Sequence, residues 1–196
     1  ESFTRMYGEI VPAPVERVRE AADGSRWTLG RRDLLVRDTP GHARHHFCVW
    51  DETSRGWFTG DTFGIAYREL YCGGEPYLIP TTTPVQFEPE ALLASIELLM
   101  AAEPRYCYLT HFGRIAASAH HAGSLRRQVL DYVRLAEGIG IADPHAQAAL
   151  TEALTTYTLE GLRAAGSTLP VTALRALLAL DMDLSAQGLV HWMHHR

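Results

Sequence analysis

The sequence predicts an α/β fold with an all-helical C-terminal extension. Three observations carry this: short strand-like runs punctuated by Gly, Pro and Asp fill the first 70 residues; a strand, helix, strand order follows; and four helical segments close the chain. The 196 residues are 46% hydrophobic and 21% charged, ordinary for a globular chain and enough to bury one sizeable core.

Taken in order, Pro14 to Ala22 reads as a strand running into Asp23-Gly24, a two-residue hairpin signal, with Arg26 to Leu29 returning. Asp33 to Asp38, His46 to Asp51 and Trp57 to Gly60 follow as short strands. Ile65 to Pro89 is a long irregular connection, of the kind that lines a pocket. Pro89 to Glu103 is a helix, because Pro89 suits a first-turn position and Leu92, Leu93, Ile96, Leu99 and Met100 share a face. Arg105 to Thr110 is a buried strand ending in His111-Phe112-Gly113. Helices then cover about 117–137, 144–165, 170–180 and 184–195, the last two separated at Asp181-Met182-Asp183. The expected organisation is a sheet-bearing part over 1–116 and a helical extension over 117–196.

A formal net charge of −5, spread along the chain, gives no electrostatic footprint for nucleic acid or an anionic membrane. The apolar stretches fall far short of the roughly 20 residues that span a bilayer. The three cysteines, Cys48, Cys72 and Cys107, form no CxxC pair and read as buried small hydrophobes in a reducing, cytoplasmic setting.

The chemistry concentrates in Asp38-Thr39-Pro40-Gly41-His42-Ala43-Arg44-His45-His46 and, one strand later, Phe58-Thr59-Gly60-Asp61-Thr62-Phe63-Gly64. His42, Asp61 and His111 each stand at a strand end, where three metal-competent side chains can converge above a sheet. The alternative for each is a polar loop residue satisfying a turn. Tyr67, Tyr71 and Tyr77 in the long connection are either pocket-wall aromatics or loop anchors, with Tyr67 the best placed. His46 reads as a structural or supporting neighbour of the site, or as part of the substrate pocket. His120-His121 read as a solvated pair, and His191, His194 and His195 as an exposed terminal cluster. Thr81-Thr82-Thr83-Pro84 lacks the glycines and lysine of a phosphate loop.

Thr39-Pro40-Gly41-His42 with His46, then Phe58-Thr59-Gly60-Asp61, then Leu109-Thr110-His111-Phe112-Gly113, resemble the third, fourth and fifth metal motifs of the metallo-β-lactamase superfamily. The resemblance covers about residues 26–115 and implies the second half of an αββα sandwich with a two-metal site, zinc first among the candidate metals and iron or manganese next. It implies His42 on one metal, Asp61 bridging both and His111 on the second, with a bridging hydroxide attacking a small-molecule substrate. The Thr-Pro-Gly-His pattern is similar to that of glyoxalase II-like thioesterases and lactonases, so an ester, thioester or lactone is the expected substrate.

The superfamily's first motif, His-x-His-x-Asp-His, has no counterpart in these 196 residues, and no histidine precedes His42. Each cation would then have two protein ligands, where a catalytic zinc normally keeps three. The expectation is a C-terminal part of a longer protein whose first half carries the missing motif. The sheet face meant for that half would then be apolar and covered by it, by a homodimer partner or by rearranged helices. Two other readings stay open: a metal-free homologue serving as an assembly module, and a nucleic-acid phosphodiesterase of the same superfamily.

Overall fold

The structure, a computed structural model, describes residues 8–9, 11–83, 85–141 and 144–196. Its strands are β1 (Arg26–Leu29), β2 (Arg32–Asp38), β3 (Phe47–Asp51), β4 (Gly56–Gly60), β5 (Tyr71–Cys72), β6 (Glu75–Pro76), β7 (Tyr106–Leu109) and β8 (Gly113–Ala116). Its helices are α1 (Pro89–Ala101), α2 (Ala119–Ile139), α3 (Ala146–Ala164) and α4 (Val171–His195). Six strands form one sheet in the order β1-β2-β3-β4-β7-β8, while β5 and β6 pair separately.

All neighbours in the large sheet are antiparallel except β4 and β7, which run parallel because α1 carries the chain between them. This one crossover decides where the site lies. β2, β4 and β7 all point the same way, so the loops leaving their carboxyl ends gather at one edge of the sheet.

Side chains alternate across the sheet. Cys48, Trp50, Trp57, Cys107, Leu109 and Ile115 are buried on the face that meets the helices. Against them α1 lays Leu92, Ile96 and Leu99, and the indole N–H of Trp57 donates to the Leu99 carbonyl at 2.9 Å. The opposite face leaves Phe47 and Phe58 exposed, with Phe58 stacked on half-buried Tyr108 at 4.7 Å between ring centroids. An aromatic face of this kind is one that a partner element normally covers.

The helices begin and turn inward for legible reasons. Ser118 caps α2 by accepting the His121 N–H at 3.1 Å, and Leu125, Val129, Tyr132 and Ala136 then fall on its buried stripe. In α3 and α4 the buried residues recur at the same helical spacing, from Leu150 to Leu162 and from Leu174 to Leu189. Two helical glycines receive the long connection. A methyl group at Gly161 would overlap the Tyr77 hydroxyl, and one at Gly188 would overlap the Thr82 carbonyl. The helical extension is therefore shaped around the 65–89 segment.

Four sequence expectations change here. Pro14 to Ala22 is not a strand: it holds a single turn of 3₁₀ helix at Val15–Arg17, exposed and without a pairing partner in the sheet. The edge hairpin instead turns at Gly30-Arg31, between β1 and β2. Asp181-Met182-Asp183 does not break a helix, because Met182 is buried and α4 runs unbroken from 171 to 195. β8 is a strand that the sequence pattern does not announce, and Cys72, unlike Cys48 and Cys107, is only half-buried.

Candidate metal site

The loop after β2 is pinned to the start of α1. Glu88 N–H donates to the Gly41 carbonyl at 2.8 Å and the Ser95 hydroxyl to the Pro40 carbonyl at 2.7 Å. Gly41 has φ 128°, and any side chain there would run into the Leu92 backbone, so glycine is required for this close approach. The rigid turn that results presents His42 at the sheet edge.

Asp61 follows β4 after Gly60, whose φ of 49° turns the chain and whose missing side chain leaves room for the His46 ring. Its backbone is held at both ends: the N–H donates to His46 Nε2 at 3.0 Å and the carbonyl accepts the Thr81 hydroxyl at 2.7 Å. Across the parallel β4–β7 pair, His111 leaves the neighbouring strand end.

The structure brings these three side chains together. His42 Nε2 lies 3.5 Å from Asp61 Oδ2, and His111 Nε2 lies 3.5 Å from Asp61 Oδ1. Asp61 Oδ1 is buried and has no hydrogen-bond partner. The Nδ1 of His42 faces the Thr81 carbonyl at 3.3 Å, an atom that only accepts, so Nδ1 carries the proton and the Nε2 lone pair looks at a carboxylate oxygen. Facing a carboxylate oxygen, Nε2 is matched either by a ring proton or by a metal cation held between the two groups. Imidazole and carboxylate donors suit a borderline divalent metal. The arrangement fits part of a metal site, since among the described residues no three His, Cys, Asp or Glu side chains surround a single point.

The remaining candidates sort themselves by contact. Both ring nitrogens of His46 are engaged within the protein, Nε2 by Asp61 N–H and Nδ1 by the Thr39 and Thr62 hydroxyls at 3.1 and 3.0 Å. Burial pushes its imidazole below the ordinary histidine range, and the nearby His42 acts in the same direction. Tyr67 lies against Phe112, ring centroids 4.2 Å apart and planes tilted by 34°, and its hydroxyl donates to Asp181 at 2.8 Å. Tyr77 anchors the connection against Gly161, and Tyr71 is exposed on β5. His121 is buried rather than solvated, with Nδ1 3.0 Å from the Ala116 carbonyl, while His191 and His195 stack at 4.1 Å. Burial raises the thiol of Cys48 to about 11 and that of Cys107 to about 12, so neither is a thiolate at neutral pH.

Sequence reasoning missed the threonines and Asp181. Thr81 orients His42 through its carbonyl and Asp61 through its hydroxyl, and Thr39 and Thr62 hold His46. Thr81 stands in the run of hydroxyl residues of the long connection and Thr39 and Thr62 lie within the two motif stretches, while nothing local marks Asp181 as a partner of Tyr67.

A model of the metallo-beta-lactamase superfamily matches residues 6–111, just over half of the chain. The chain belongs to that superfamily. Metallo-beta-lactamase superfamily proteins are generally hydrolytic and typically bind divalent metals. Among solved structures, the chain is similar to an archaeal superfamily protein from Sulfolobus tokodaii, with 17% identity, a TM-score of 0.56, and coverage of 96% of this chain and 58% of that one. A family protein from Thermus thermophilus gives 18%, 0.55, 88% and 47%, and a beta-lactamase domain protein from Burkholderia ambifaria 18%, 0.56, 94% and 49%. At these identities the likeness is one of fold. The chain spans roughly half of the length of these superfamily members. Among the described residues no helix is long and apolar enough to cross a membrane.

Proposed function

We propose that this chain supplies the carboxyl-terminal side of a divalent-metal hydrolase acting on a small ester, thioester or lactone. The observation that carries the reading is the Asp61 carboxylate, whose two oxygens each face a different imidazole and one of which is buried without a partner. His42 and Asp61 would hold one cation, and Asp61 and His111 a second. Zinc is the leading candidate because its sites are built from such nitrogen and oxygen donors, with iron and manganese next. Bound there, the cations would acidify water toward a pKa of about 7 and polarise a substrate carbonyl.

The chain's own residues supply position. The Thr81 carbonyl fixes the His42 tautomer, so that Nε2 presents its lone pair. His46 and Thr81 hold the Asp61 backbone from both sides, which limits where its carboxylate can swing. The protonated, buried Cys48 and Cys107 are unsuited to nucleophilic catalysis.

Two protein ligands per cation fall short of the three that a catalytic zinc keeps. The remaining ligands would come from a segment preceding this chain, and the exposed Phe47 and Phe58 face would lie beneath it. The test is elemental analysis and ester hydrolysis in the complete gene product, beside its Asp61→Ala variant. The hydrolase reading expects divalent metal and turnover in the parent and loss of both in the variant. A parent that carries no metal and cleaves nothing would leave the assembly-module reading.

A further inference from the structure

Phe112 directly follows His111 and adopts φ 79°. That left-handed region is costly for a bulky side chain and nearly free for glycine, so a large residue held there calls for a reason. Core packing is not the reason, because Phe112 is 44% exposed. Its ring instead lies against Tyr67 at 4.2 Å and 34°, and 6.2 Å from the ring of His111. Tyr67 is in turn held by Asp181 of α4, across 114 residues of sequence. Strained backbone, the tilted ring contact and a half-buried carboxylate anchor together fix an aromatic step beside the Asp61 site, one part of it open.

We infer that Phe112 is a specificity-determining residue whose open ring surface receives a flat apolar group of the substrate next to the bond to be cleaved. The preferred substrates are then esters or thioesters with an aromatic acyl group, over their acetyl counterparts. What is cleaved rests on the hydrolase reading above; the contact at Phe112 does not.

The experiment uses the complete gene product, its Phe112→Gly variant, which suits the left-handed backbone, and Phe112→Leu, which keeps apolar bulk without a flat ring. Binding of phenylacetate and acetate is measured by ligand-observed NMR, and kcat/KM is measured for phenylacetyl and acetyl thioesters. Phenylacetate is expected to bind the parent more tightly than acetate, and Phe112→Gly is expected to reduce the phenylacetyl-to-acetyl selectivity by about tenfold, mainly through KM, the scale of one aromatic contact. Phe112→Leu should fall between the two. Equal binding of the two acids by the parent, or an unchanged selectivity ratio in Phe112→Gly, overturns the inference. If the parent binds phenylacetate selectively through Phe112 yet cleaves no thioester, the hydrolase reading fails and the Phe112 contact stands.

Discussion

The backbone N–H of Asp61 donates to Nε2 of His46 at 3.0 Å, so a histidine fifteen residues away sets the start of the turn that bears the central carboxylate. With Nε2 accepting, the ring proton sits on Nδ1 and is shared with the Thr39 and Thr62 hydroxyls. His46→Ala would leave the Asp61 N–H without its acceptor and open a gap beside Gly60. The expected loss is about 2–3 kcal/mol, read as a lower urea midpoint. A change within about 0.5 kcal/mol would mean that this bond does not hold the turn.

Two glycines in helices should respond with opposite signs. Gly188 lies against the Thr82 carbonyl, so Gly188→Ala forces α4 away from the connection that holds His42 and Asp61. Its cost should exceed the roughly 1 kcal/mol that alanine gains in a helix. Gly123 in α2 faces open space, with nothing within 4 Å of where a methyl group would stand, so Gly123→Ala should stabilise by about 0.5–1 kcal/mol. Thermal melts of the two variants moving in the same direction would refute this.

Much of this was legible because the chemistry sits at strand ends, where Gly, Pro and Asp mark the turns. His42, Asp61 and His111 could be placed at a common edge from the amino-acid order alone, since each lies in the loop that follows a strand. What was not legible depended on partners distant in sequence. Asp181-Met182-Asp183 looks like a helix stop, yet Asp181 takes the Tyr67 hydroxyl, Met182 enters the core and Asp183 accepts the amides of Gln147 and Gln187. Pro14 to Ala22 runs into the Asp23-Gly24 hairpin signal, but no neighbour in the sheet pairs with it. β8 buries only Ile115, too little to declare itself by pattern.

Removing the Tyr67 hydroxyl tests the clamp between the connection and α4. Burial raises both groups, the Asp181 carboxyl and the Tyr67 phenol, and their 2.8 Å bond satisfies both. Tyr67→Phe would leave the half-buried carboxylate short of a donor, at an expected cost of about 1–3 kcal/mol. Asp181→Asn keeps an acceptor for the phenol and should cost less. A denaturation series in which the asparagine variant is the weaker of the two would contradict this account.

The pH dependence of stability should carry a contribution from Asp51 at the end of β3. Burial alone would push its carboxyl upward, but the Ser54 hydroxyl at 2.7 Å, the Thr53 N–H at 3.1 Å and the Arg32 guanidinium outweigh it, and the net direction is downward. The folded protein therefore binds fewer protons at this site than the unfolded chain as the solution becomes acidic. Stability from Asp51 is then fully present above the ordinary carboxyl value near pH 4 and is lost as pH falls through the lower folded value. Asp51→Asn should cost about 1–2 kcal/mol at neutral pH, and the gap between variant and parent should narrow as pH falls below about 4. Urea titrations at stepped pH measure that gap directly; a gap that stays constant to pH 2 would show that the carboxylate's charge adds nothing beyond its shape.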